Sequence, residues 1–376
     1  NWTIEGEKAT TVNGIAFSDV ESINQFNSTD ITNRTLTGTA GQDLLTIESA
    51  NTINAKGITY YGIGSVDTLG NSEVDLDTVS GSTTWDLLVS GFEAFDISFA
   101  GVEIANSSEA GILNGTSTAD KFVVAGTQSV AANGTIFNQV ISVTASDGDD
   151  DVQYDSLDWT IQGTNATSIE GIAFTDVESI NQFNSTDITN RNLNGTAGQD
   201  LLTIHSANAI SAKGITYYGI GSVDALGNSE VDLDTVSGSS TWDLLASGFE
   251  AFDISFTGVE IVNSGATGAL NGTTAADQFA ITGNQSVLVN GITFNDITKV
   301  DAQSNTNTAH LDSVSGSATW GLSENGFTAN QINFVDVEIA DSGTAGTVNG
   351  SLIADSFAIT GDQSVLVNGT TFNNIT

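Results

Sequence analysis

The sequence predicts an all-β chain wound as an elongated parallel β-helix, a β-solenoid built from half-units of about 39 residues within repeats of 77–80. Three observations carry that expectation: internal repetition over the whole length, short runs in which apolar and polar residues alternate, and a near absence of helix-period stripes. Residues 1–143 align without a gap onto 158–300, so that Trp2 falls on Trp159, Gly41 on Gly198 and Trp85 on Trp242. Within that long period, units open at Leu36-Thr37-Gly38, Leu113-Asn114-Gly115, Leu193-Asn194-Gly195, Leu270-Asn271-Gly272 and Val348-Asn349-Gly350. The organisation is therefore a partial repeat over 1–35, repeats over 36–112, 113–192, 193–269 and 270–347, and a partial repeat over 348–376. All are read as one continuous solenoid.

Each unit halves. A triplet of apolar residue (Thr in two copies), any residue, then aromatic ends at Phe17, Tyr60, Phe99, Phe137, Phe174, Tyr217, Phe256, Phe294, Phe334 and Phe372. Three places after each aromatic stands Val or Ile, as in Phe99/Val102 and Phe334/Val337. Both can point inward if the two residues between them turn a corner. Ile292-Thr-Phe294, Phe279-Ala-Ile281 and Val287-Leu-Val289 alternate at period two, the pattern of strands with one buried face. Asn-Gly, Thr-Gly and Asp/Asn-rich steps separate them and tolerate left-handed backbone. If each half-unit makes two coils of roughly 19–20 residues, the chain holds about 19 coils and spans on the order of 90 Å at the spacing of stacked strands. A string of small β-sandwiches, one per unit, is the alternative. It is the weaker fit, because no Pro or polar linker marks a unit boundary and the half-unit marks run unbroken across the joins.

Composition excludes several functions. Lys+Arg number 7 against 46 Asp+Glu, a formal net charge of −39, so a phosphate-tracking nucleic-acid surface is not expected. No apolar stretch approaches the ~20 residues of a spanning helix, and membrane insertion is not expected either. With Cys 0 there is no disulfide framework and no thiolate chemistry. With Met 0 the chain reads as a segment of something longer or processed. Hydrophobic content of 39% with 18 Phe still suffices for a packed core.

The strings Asn271-Gly-Thr-Thr-Ala-Ala-Asp-Gln-Phe-Ala-Ile, Val289-Asn-Gly-Ile-Thr-Phe and Asp234-Thr-Val-Ser-Gly resemble the repeats of giant surface adhesins of Gram-negative bacteria, of the filamentous-haemagglutinin-like type. The resemblance covers essentially the whole chain and is one of repeat style. It implies a secreted or cell-surface β-helical fibre used in attachment, matrix or filament building. Gly38-Thr-Ala-Gly41-Gln-Asp43-Leu-Leu is also similar to the calcium-binding nonapeptides of RTX proteins, but it stands alone where that family uses tandem turns, and Ala275 replaces the second Gly in the copy at Gly272.

A second mark, Asp-x-[Leu/Val/Phe], recurs at Asp43, Asp77, Asp120, Asp155, Asp200, Asp234, Asp277, Asp312 and Asp355. Carboxylates repeated this regularly are read as turn residues accepting backbone N–H bonds, since active sites are not rebuilt along a repeat array. The acidic run Asp147-Gly148-Asp149-Asp150-Asp151 has no acidic counterpart in the other units, and clustered oxygens around a Gly suit a hard cation. Asp147, Asp149, Asp150 and Asp151 are accordingly the candidate ligands of a Ca²⁺ ion, the one cofactor the pattern invites. His205 and His310 replace Glu48 and Gln153 of the preceding copy and are read as incidental; the Trp, one per unit, are read as core fillers. No catalytic residue is assigned. The functional expectation is an extracellular structural or adhesive rod or filament segment of a large bacterial surface protein, partnered by itself end to end and by surface glycans or matrix. A glycan-binding or glycan-processing β-helix is the alternative, and Ala145–Tyr154 is the stretch where a groove breaking the repeat would lie.

Overall fold

The computed structural model describes residues 1–24, 34–69, 77–154, 158–181, 191–226, 235–303 and 311–376. Every regular element among them is a strand, and the architecture is a β-solenoid of about 11 turns with parallel pairing from coil to coil. Contacts divide the chain into two compact units, one formed by Asn1–Ser156 with Gln162–Ser185, the other by Leu157–Ile161 with Thr186–Thr376.

In the first unit, Thr78–Leu87 pairs in parallel with Leu44–Ser49 on one side and Ile104–Asn114 on the other, with Val79 opposite both Leu45 and Ala105. Thr135–Thr144 follows in parallel with Ile104–Asn114, Phe137 lying against Ala105. In the second unit the same positions recur: Val236 lies against Leu202 and Val262, and Val262 against Phe294. Stacked partners are separated by between 25 residues (Ser82 to Ser107) and 37 (Ile23 to Tyr60). The expected coil of 19–20 residues is therefore too short. A coil takes roughly one half-unit, because part of each half-unit does not advance the solenoid.

That part is a fold-back. Leu44–Ser49 turns into Thr52–Ala55, which pairs antiparallel with it and then with Ile58–Tyr61. The same three-strand zigzag occurs at Phe92–Ala94, at Ser129–Ala132, at Ala209–Ala212 and at Ser286–Val289. Each ends on the apolar-x-aromatic triplet, so one half-unit is one fold-back plus its link. Its second turn is a two-residue step with φ positive at both positions, as at Asn133-Gly134 (φ 50 and 84) and Asn290-Gly291 (φ 52 and 82). This geometry matches the twist of the flanking strands, and Asn-Gly adopts it cheaply.

The corner after each aromatic is also present. Asp176 (φ 56) lies between buried Phe174 and Val177, and Asp336 (φ 58) between buried Phe334 and Val337. Inside, Trp85, Trp159, Trp242 and Trp320 are fully buried. Trp85 meets Phe92 edge-on at 5.5 Å, and Phe92 stacks on Phe99 at 5.1 Å and meets Phe137 at 5.2 Å. Trp242, Phe249, Phe256 and Phe294 repeat this cluster in the second unit. Burying each such ring contributes about 1.5–3 kcal/mol. The indole N–H groups of Trp85, Trp242 and Trp320 donate to Ser107, Ser264 and Ser342 at 2.9, 2.6 and 2.8 Å. These Trp residues are core, as the sequence suggested.

Candidate functional site

The chemistry-bearing residues that the fold brings together are carboxylates at strand entries. Each unit opens with a turn of the form Gly-[Thr/Ser]-x-x-x-Asp. The Asp side chain folds back on the turn, so that Thr39, Thr116, Thr196, Thr273 and Ser351 donate their N–H to Asp43, Asp120, Asp200, Asp277 and Asp355 at 2.6–2.7 Å. The opening Gly is required by close approach: a Cβ on Gly38 would lie 2.4 Å from Asp43 Oδ2 and 2.8 Å from the Thr68 backbone. These Asp are turn residues, as their repetition implies. The same geometry accounts for the Gly38–Asp43 likeness to calcium-binding turns, since Asp43 spends both oxygens on Thr39, through its N–H and its hydroxyl at 2.7 and 3.1 Å.

From three of these turn Asp, among the described residues, a row of carboxyls crosses adjacent parallel strands. The N–H of Asp43 donates to Asp77 Oδ1 at 2.7 Å, and the N–H of Asp77 to Glu103 Oε2 at 2.8 Å. Asp120, Asp150 and Glu178 repeat this at 2.7 and 2.9 Å, and Asp277, Asp312 and Glu338 at 2.7 and 2.8 Å. Backbone carbonyls tie the same residues, as where Ile104 N–H donates to Asp77 O at 3.0 Å. Asp155 and Asp234, two of the predicted marks, lie outside the described residues. The row shows that Asp150 is the structural counterpart of Asp77 and Asp312. Asp150-Asp151-Val152 carries the same Asp-x-Val mark, hidden in the sequence by the acidic run around it.

The four candidate calcium ligands therefore point different ways. Asp150 is fully buried in its row. Asp151 accepts from Ser179, Asn181 and Gln153 at 3.0, 2.7 and 2.8 Å. Asp149 is exposed, and Asp147 lines an open hollow of about 450 Å³ with Asp176, Glu178 and Asn165. Among the described residues no three His, Cys, Asp or Glu converge closely enough to hold a metal. Glu103 and Glu338 line hollows of about 400 and 590 Å³ at the equivalent places, so the hollow belongs to the repeat and not to the acidic loop alone.

Electrostatics follow from this packing. Burial pushes the Asp150 carboxyl from 3.8 up to about 6; the N–H of Asp120 opposes the rise, and the charges of Asp120, Glu178 and Asp149 add to it. Asp77 is raised by burial as well. Lys56 and Lys213 offset charge at two of the turn Asp, with Nζ 3.8 Å from Asp43 and 3.6 Å from Asp200. Asn133, Asn290 and Asn368 stand at the place of these Lys in other units. His205 is exposed and shares a hydrogen bond of 2.9 Å with Ser211; His310 lies outside the described residues. No family model, curated protein or solved structure matches the chain.

Proposed function

We propose that the chain is a structural or adhesive segment of a large bacterial cell-surface protein, acting outside the cell as a rod or filament that holds or attaches other material. One observation supports this reading above the others: buried positions of one coil lie on those of the next in both units, from Leu45, Val79 and Ala105 to Leu202, Val236 and Val262. Self-stacking of this kind confers stiffness through ladders and a shared apolar core, and its stability grows with each added neighbour. The exterior suits such a role. It is acidic and rich in Asn, Ser and Thr, which keeps a repetitive β surface soluble and deters lateral pairing. The resemblance to filamentous-haemagglutinin-like adhesins points the same way, as do the proposed partners: further copies joined end to end, surface glycans and matrix.

Negative-stain imaging of the chain tests the mechanical part. Uniform rods support it; beads at unit spacing contradict it. Binding of the fluorescently labelled chain to glycan arrays and to whole bacterial surfaces tests the adhesive part, and binding to neither leaves only a spacer.

A further inference from the structure

In the row Asp43–Asp77–Glu103 the middle carboxyl has one oxygen satisfied and one not. Asp77 is fully buried. Its Oδ1 accepts the Asp43 N–H at 2.7 Å, while Oδ2 is buried and has no partner among the described residues. On one side lies the Asp43 carboxylate, fully buried, with Lys56 Nζ 3.8 Å from its Oδ1. On the other lies Glu103, whose Oε2 accepts the Asp77 N–H at 2.8 Å. Thr68 faces the group as well: its hydroxyl, which donates to Ala100 O at 3.4 Å, is near enough to favour the ionised Asp77 but lies outside bonding distance of Oδ2. Among the described residues these are the charged and titratable groups around Asp77.

Neighbouring parallel strands lie about 4.8 Å apart, so three ionised carboxylates in such a row repel strongly where water is excluded. An isolated buried carboxylate oxygen is likewise costly. A proton on Oδ2 removes both costs, turning an acceptor without a donor into a donor toward the adjacent carboxylate.

We propose that Asp77 is a proton-binding site, holding a hydrogen ion that it shares with the neighbouring carboxylate of its row, and that this proton tightens three successive strand entries in mildly acidic surroundings. The proposal goes beyond the mechanical role and does not depend on it. Burial first, then the charges of Asp43 and Glu103, raise the Asp77 carboxyl above its ordinary 3.8 against the lowering by the Asp43 N–H and Thr68. The stabilisation is thus fully present below the ordinary value and is lost as pH rises through the raised one.

Carboxyl ¹³C NMR of the whole chain between about pH 3 and pH 8 tests this, with Asp77 assigned through its own backbone and checked by loss of the signal in Asp77→Asn. The expected midpoint lies clearly above the ~3.9 of a free Asp. The Asp43 amide should exchange several-fold faster above that midpoint than base catalysis alone explains. A midpoint at or below the free value overturns the proposal. So does a midpoint that falls on adding about 1 mM Ca²⁺, which would make the row a cation site. The wild-type titration stands by itself if Asp77→Asn does not fold.

Discussion

Asp150 illustrates what a repeat imposes on a single side chain. A carboxyl raised from 3.8 to about 6 binds its proton more tightly in the folded chain than in the unfolded one. Stability from this group is therefore complete below 3.8 and declines as pH rises to about 6, the reverse of an ordinary salt-bridged Asp. Asp150→Asn keeps an oxygen for the Asp120 N–H and removes the charge. Its melting temperature should exceed wild type at pH 7.5 and approach it at pH 4, and a pH-independent difference would contradict the assignment. Phe95 carries a different kind of strain. It stands with Asp96 at a two-residue turn at φ 51 and 59, about half exposed, where other half-units have Asn-Gly. The double substitution Phe95→Asn with Asp96→Gly, which installs the turn residues of those half-units, should stabilise the chain by ~1 kcal/mol, read from denaturant unfolding. Phe252 and Asp253 offer the same test in the second unit, at φ 52 and 59.

At the level of elements, the demanding position is the corner where a strand leaves one ladder for the other. Thr78–Leu87 does this at Gly81, where its register shifts. Gly81 has φ +101, and a Cβ there would lie 2.2 Å from Ile47 O; Gly238 and Gly316 repeat the contact at 2.1 and 2.4 Å. Neither the backbone nor the neighbouring coil can yield, so Gly81→Ala should cost about 2–4 kcal/mol in denaturant unfolding, whereas Gly41→Ala, which meets nothing, should cost far less. The apolar-x-aromatic triplets, the corner three residues later and the buried Trp were all legible in the sequence, since they depend on local alternation. The fold-back was not. Thr52–Ala55 and Leu44–Ser49 alternate alike, and period two does not distinguish a parallel neighbour from an antiparallel one. The clue lies in the Asn-Gly steps at Asn133 and Asn290, a hairpin signal that the corner of a coil satisfies equally well. The carboxyl row escaped for another reason: Asp120 and Asp150 meet across 30 residues, and acidic neighbours conceal Asp150.

For the whole molecule, charge is the dominant variable. With 46 acidic against 7 basic residues, and with Lys56 and Lys213 already placed over Asp43 and Asp200, mean repulsion opposes the compact state. Screening should therefore stabilise it. Between about 10 mM and 150 mM NaCl the Debye length falls from about 30 to 8 Å, short enough to uncouple carboxylates on alternate strands of the exterior while leaving buried rows nearly unaffected. The melting midpoint is expected to rise by several degrees over that range and then level off. Calcium separates this diffuse effect from a discrete site. Because Asp147, Asp149, Asp150 and Asp151 do not converge, Ca²⁺ and Mg²⁺ at matched ionic strength should shift melting equally. A midpoint that rises with micromolar Ca²⁺ and falls with chelator, while Mg²⁺ does nothing, would show the acidic loop closing on an ion in a conformation other than the one described. Asp151→Asn would then abolish the response, whereas under pure screening it should lower the salt dependence only slightly.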